Sequence, residues 1–203
     1  MTELLVMKNA VSSLEETSFG GVPVKNKGND FEWPVCKTCD GPMQYLFRVA
    51  TPLGLEQVFM CQNEPGLCDE WDANEGGNRV VVLKPKSLEV VKPPEHGETS
   101  RGDSYGVSVQ TVDSNDYDVA REAWHDNEAN TEYVLGKLKG QAFWIQGDET
   151  PNCDACNNKM QFVGQFEEGP DTDHSQSMNL GGGGVGYLFD CSTCTTAKFL
   201  FQC

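Results

Sequence analysis

The apolar positions of this chain cluster in short runs and never form long stripes. Met43-Gln44-Tyr45-Leu46-Phe47-Arg48-Val49 and Met160-Gln161-Phe162-Val163-Gly164-Gln165-Phe166 have strand length, and each follows a Cys-x-x-Cys turn. Val58-Phe59-Met60, Arg79-Val80-Val81-Val82-Leu83, Tyr187-Leu188-Phe189 and Lys198-Phe199-Leu200-Phe201 are further runs of strand length. Their flanks are rich in Gly, Pro, Asn and Asp, which is turn chemistry. Tyr105 to Val112 alternates like a strand, whereas Asp116 to Asn127 reads as a helix. Ser114 or Asn115 is the expected cap, with Val119, Ala123 and Trp124 as its apolar stripe. Pro93 to Asp103 reads as an exposed loop, and its Arg-Gly-Asp triplet as accidental. The predicted fold class is therefore mainly β with minor α (α+β).

The runs repeat. Pro34, Cys36, Cys39, Met43 and Gln44 each have an identical residue 117 positions later, at Pro151, Cys153, Cys156, Met160 and Gln161. One Cys-x-x-Cys match could arise by chance; five identities at one offset point to duplication. Each copy then carries a second cysteine pair, Cys61 with Cys68 and Cys191 with Cys194. There the offset grows to 130 (Cys61 to Cys191), and the Gly-rich stretch from His174 to Gly186 accommodates the difference. Two pseudo-symmetric, zinc-ribbon-like repeats that share or flank a β core are expected: 1–92 as the first, 93–131 as an acidic connector, 132–203 as the second.

Eight of the nine cysteines fall into this pattern. Two-residue spacing lets both sulfurs of a turn reach one metal, and thiolate is the soft ligand that zinc favours. Cys36, Cys39, Cys61 and Cys68 make one candidate site; Cys153, Cys156, Cys191 and Cys194 make the other. Four thiolates complete a tetrahedron and leave no position for water, so both sites are expected to be structural, with two zinc ions. The competing readings are disulfides, which belong with export, and a redox Cys-x-x-Cys, which needs a thioredoxin-like setting that the pattern lacks. The first site is the less regular, because six residues separate Cys61 from Cys68. Cys203 stands outside the pattern and, ending a strand-like run, is expected to be buried.

Charge narrows the partners. Acidic residues number 31 and basic ones 15, a net charge of −16. Phosphate backbones and anionic membranes call for Lys and Arg, so neither nucleic acid nor a membrane surface is expected as partner. A basic protein surface is the natural complement, while solubility alone is the plainer use of the acids. The N-terminus lacks a basic region ahead of a long apolar stretch, and no apolar run approaches a membrane span; a cytoplasmic location is expected. The Gly181 to Gly186 run is followed by a strand and has no Lys-Ser or Lys-Thr, so it does not read as a phosphate loop. His96, His125 and His174 form no catalytic motif. Trp33, Trp71, Trp124 and Trp144 read first as core residues, and any that is exposed as an interface anchor.

Leu135-Gly136-Lys137-Leu138-Lys139-Gly140, the following Trp144-Ile145-Gln146, the block from Cys153 to Gln165 and the Gly-rich approach through Tyr187-Leu188-Phe189-Asp190 to Cys191 resemble bacterial YwqG-like proteins, a family of uncharacterised function. More remotely they resemble the programmed-cell-death-2 family of eukaryotes, zinc-containing chaperones of a ribosomal protein. The resemblance covers residues 132–203, with a fainter copy over 20–83. It implies a mostly β, pseudo-symmetric fold, no established catalytic residues, and binding of another protein. Bacterial relatives encoded beside toxins extend this to an immunity role. The expected function is thus a non-enzymatic, zinc-stabilised module that captures a basic protein, either as a toxin-neutralising immunity protein or as a chaperone-like escort. The alternative is an enzyme whose site lies in a groove between the repeats.

Overall fold

The computed structural model describes residues 1–8, 10–170 and 177–203. His174 lies outside them. In chain order the elements are β1 (Thr2–Lys8), β2 (Ser18–Gly21), β3 (Val24–Asn26), β4 (Gln44–Thr51), β5 (Gly54–Met60), β6 (Asn78–Leu83), β7 (Leu88–Val90), β8 (Arg101–Val112), α1 (Tyr117–His125), β9 (Val134–Leu138), β10 (Gln161–Glu167), β11 (Val185–Cys191) and β12 (Thr196–Gln202). The chain is mainly β, as expected.

One ten-stranded antiparallel sheet runs in the order β12-β11-β10-β9-β1-β8-β2-β4-β5-β6, and β3 pairs with β7 beside it. The order is palindromic about the central β1–β8 pair: β9 answers β2, β10 answers β4, β11 answers β5 and β12 answers β6. Each half lends its first strand to the other, since β1 pairs with β9 and β8 with β2. The segment 93–131 therefore supplies a central strand, and a single sheet crosses all three segments read from the sequence. Even the irregularities match. The β4–β5 register shifts between Tyr45 and Phe47, and the β10–β11 register between Phe162 and Gly164, each 117 residues on. Such bulges bend a strand and sharpen its twist.

The bent sheet encloses its own core. Leu5, Phe19, Phe47, Val58, Tyr105, Leu135, Phe166, Leu188 and Phe199 form one buried cluster fed from strands of both halves. The rings of Phe47 and Phe166 lie 4.4 Å apart, and Phe199 meets Phe47 at 5.9 Å. The two edge strands, β6 and β12, come to face each other, which makes the sheet an almost closed barrel. Among the described residues no ladder joins them. Instead, the Phe201 amide donates to the Trp71 carbonyl at 3.1 Å. Below that tie a cleft of 640 Å³ opens, lined by Val80, Val82, Thr196 and Lys198 among others. Barrel closure removes edges that would otherwise recruit other strands, and here closure is nearly complete.

Outside the barrel, α1 packs on β1 and β8 and reaches Val134 of β9. Leu4 and Val6 of β1 point outward beneath it, with Tyr117, Ala120 and Val134, while Leu5 points into the core. The cap differs from expectation: Asp116 is the N-cap, and its side chain accepts from the Val119 amide at 3.2 Å. The stripe also differs: Tyr117, Ala120 and Trp124 face the barrel, because Leu4, Val6 and Val134 lie beneath that face, and Val119 and Ala123 are exposed. The Arg101 end of the expected loop belongs to β8, where Arg101 donates to Gln44 Oε1 at 3.1 Å.

Candidate metal centres

Both first cysteine pairs sit in turns built to one plan. The Cys36 amide donates to the Gly41 carbonyl (2.9 Å), the Asp40 amide to Cys36 (3.0 Å) and the Met43 amide to Pro34 (2.9 Å). In the other half the Cys153 amide donates to Asn158 (2.9 Å), Asn157 to Cys153 (2.8 Å) and Met160 to Pro151 (2.9 Å). Isolated bridges, Val35 with Pro42 and Asn152 with Lys159, close the two turns. Every one of these partners is again separated by 117 residues. The second pairs hang from the barrel itself: Cys61 follows β5 and Cys191 ends β11.

A backbone signature marks all four pairs. Asp40, Asp69, Asn157 and Thr195, each directly after the second cysteine of a pair, have φ between 51° and 58°. This left-handed conformation is uncommon away from glycine, and Asp and Asn adopt it more readily than most. It appears after Cys68 as after Cys194, so the longer Cys61–Cys68 spacing still ends in the same turn. The extra residues are fastened by Glu70, whose carboxylate accepts from the Gly66 and Cys68 amides.

The structure brings together the cysteines that the spacing selected. The sulfurs of Cys36, Cys39, Cys61 and Cys68 all lie within 4.8 Å of one another, as do those of Cys153, Cys156, Cys191 and Cys194. Cys39 and Cys61 sulfurs are 3.6 Å apart, and those of Cys156 and Cys191 are 3.8 Å apart. A tetrahedron with metal–sulfur bonds near 2.3 Å requires edges of about 3.8 Å. A disulfide would need about 2.05 Å. Each group could therefore hold one metal ion. Five of the eight cysteines are fully or nearly buried; Cys39, Cys156 and Cys194 are half-buried.

The electrostatics also favour a cation. Thr196 Oγ1 and the Cys156 and Ala155 amides bring the Cys153 thiol down to about 6. In the same cluster the neighbouring Cys156 sulfur, with burial, pushes Cys194 up to about 12. In the first cluster burial opposes ionisation of Cys36, yet the Cys39 and Thr38 amides bring its thiol below the ordinary range. Burial and the adjacent thiols drive Cys68 far above that range. Thiols this close would not all ionise unaided, and a divalent cation at the centre would let them do so.

Two supporting side chains escaped the sequence reading. Asn63 Nδ2 lies 3.5 Å from the Cys61 sulfur and 3.0 Å from the Pro42 carbonyl, which joins the two cysteine loops. Thr196 Oγ1 lies 3.4 Å from the Cys153 sulfur. Both stand two positions beyond a cysteine: Asn63 reaches back to its own turn, whereas Thr196, beyond Cys194, reaches across to the other cysteine loop. Aromatic residues wall both sites: Trp33 and Phe59 on one, Trp144 and Phe189 on the other. Cys203 is exposed, contrary to expectation: β12 stops at Gln202, one residue before it. Trp71 is also exposed, at 42%.

A groove between the halves does exist, at the β6–β12 cleft. Its lysine, Lys198, donates to Asn74 Oδ1 and Asp154 Oδ1, each at 2.6 Å, and so ties the two edges together. The Gly-rich approach to β11 is shaped by Glu168, whose carboxylate accepts from the amides of Leu180, Gly182 and Gly183 at 2.7, 2.9 and 2.8 Å. Among the described residues no helix is long and apolar enough to cross a membrane. The fold and sites together define an almost closed antiparallel barrel bearing two four-cysteine groups able to hold metal. No protein-family model matches the chain, and no curated protein matches it.

Proposed function

We propose that this chain is a zinc-stabilised, non-enzymatic binding module that captures a basic protein. The observation that carries the reading is the combination of two four-cysteine groups, each able to hold a metal ion, with twice as many acidic as basic side chains. Zinc is the ion suited to four thiolates in a tetrahedron, and a closed site offers no position for a reacting water. With both ions bound, the formal charge moves from −16 to about −20, each site adding four thiolates and one dication. Such a field speeds encounter with a cationic surface, and the metal-fastened loops then present a rigid face for docking.

In this reading the halves are zinc-ribbon-like repeats that arose by duplication. The resemblance to YwqG-like and programmed-cell-death-2 proteins supports the same class. Two versions remain within it: one-to-one neutralisation of a toxin, and transient escort of a basic client. The test is affinity capture from the native host's lysate at low and high salt, with bound proteins identified by mass spectrometry. One dominant basic partner, released by salt, supports the reading. No enriched partner at low salt contradicts it.

A further inference from the structure

Between the first-half cysteine loop and the C-terminal strand lies a cavity of 340 Å³. Pro65 and Trp71 line it from the first half; Asn179, Gly181, Phe201 and Cys203 line it from the second. Two hydrogen bonds hold its walls together, from the Phe201 amide to the Trp71 carbonyl and from Asn179 Nδ2 to Gln62 Oε1, both at 3.1 Å. Gly181 has φ of +87°, and a Cβ there would come within 2.7 Å of the Cys203 sulfur, so the wall depends on a glycine. Leu67, on the same cysteine loop, is 71% exposed. An exposed Trp at an apolar hollow, with an exposed Leu on the same loop, is a feature of a binding surface.

The surroundings select the occupant. Between Gln62 and Asn78 there are five carboxylates, Glu64, Asp69, Glu70, Asp72 and Glu75, and no Lys or Arg. Glu70, which lines the cavity, is buried and engaged with its own loop, while Glu64, Asp69 and Glu75 of the same loop are exposed. We infer that this cavity receives one apolar side chain of an extended basic segment from the partner protein, with lysines or arginines on either side of it meeting the carboxylates of this acidic loop. The inference rests on the basic-partner reading above and names where that partner docks. Because Cys68 lies between Leu67 and Asp69, a metal ion at the first site would also order this loop.

The probe is a fluorescein-labelled nine-residue peptide with one leucine flanked on each side by four lysines, followed by fluorescence anisotropy. Controls replace the leucine by serine, or the lysines by glutamate. The lysine–leucine peptide should bind roughly tenfold more tightly than the serine control, the weight of one buried apolar anchor. Its binding should fall as salt rises from about 50 to about 300 mM. Trp71→Ala and, independently, Leu67→Ser should each weaken it several-fold with metal content and melting temperature unchanged, whereas Tyr133→Ala should have no effect. Equal binding of the leucine and serine peptides would overturn the proposal, as would indifference to both the Trp71 and the Leu67 variant. Loss of a wild-type dimer in Trp71→Ala, without peptide binding, would assign the face to a second copy and also overturn it. Undiminished capture of a basic lysate protein by Trp71→Ala would refute this docking site while leaving the binding reading intact. Failure of both peptide and lysate capture would end both.

Discussion

Replacing Glu56 by glutamine should stabilise the protein at neutral and alkaline pH and leave it unchanged in acid. Glu56 sits on β5 with its side chain directed into the barrel, on the face of Val58 and Met60, and is 0% exposed. Its Oε1 accepts from Thr51 Oγ1 at 2.7 Å, and its Oε2 has no hydrogen-bond partner among the described residues. Burial, with a smaller contribution from Asp190, pushes the carboxyl from 4.5 up to about 7. The folded state thus holds a proton that the unfolded chain releases near 4.5. The associated stability is fully present below about pH 4.5 and is lost progressively as pH rises to about 7. A rise of that size corresponds to about 3 kcal/mol. Glutamine keeps the acceptor for Thr51 and never ionises, so Glu56→Gln should gain most of that 3 kcal/mol at pH 8, roughly 5–10 °C in melting temperature. Urea unfolding of the metal-loaded protein, followed by tryptophan fluorescence from pH 5 to 8, measures it. Acid loss of metal affects both proteins alike and cancels in their difference. A difference that is the same at pH 5 and pH 8, or a variant less stable at pH 8, would refute the reasoning.

Other substitutions probe other joints. Phe166→Ala removes a ring that meets Phe47 at 4.4 Å and Phe19 at 6.0 Å, at the junction of the two halves. It should cost about 3–5 kcal/mol in urea unfolding, and a cost below about 1 kcal/mol would deny the shared core. Asp116→Ala removes the helix cap and should cost about 1 kcal/mol by the same assay, whereas Ser114→Ala should cost less if Asp116 is the cap.

The sequence made some of this legible and hid the rest for physical reasons. The hairpins β4–β5 and β11–β12 were readable because their apolar runs are short and bounded by turn residues. The strand β1 was not, because both its faces are covered: Leu4 and Val6 by α1, Leu5 by the core. A strand buried on two sides shows no alternation. The strand β9 was not read as a strand, because Gly136 and Lys137 interrupt its apolar positions. Its Gly136 has φ of +131°, and a Cβ there would lie 2.0 Å from the Gln165 carbonyl oxygen, so the glycine serves close strand contact. Its Lys137 is 5% exposed, donates to the Gln141 carbonyl, and lies over the Tyr117 and Phe162 rings. The exchange of first strands between halves is a long-range pairing, and no local pattern encodes it. The cysteine groups were the most readable feature, because ligand spacing is local chemistry. Even so, how Glu70 and Asn63 order the irregular Cys61–Cys68 loop emerged only with the fold.

The most direct test of the account is the metal content of the purified, reduced protein, measured by elemental analysis and by native mass spectrometry. Two zinc ions per chain are predicted, falling to one in Cys61→Ser and to one in Cys191→Ser. A chain that carries no zinc, or whose cysteines are recovered as disulfides when freshly isolated under reducing conditions, would contradict the account.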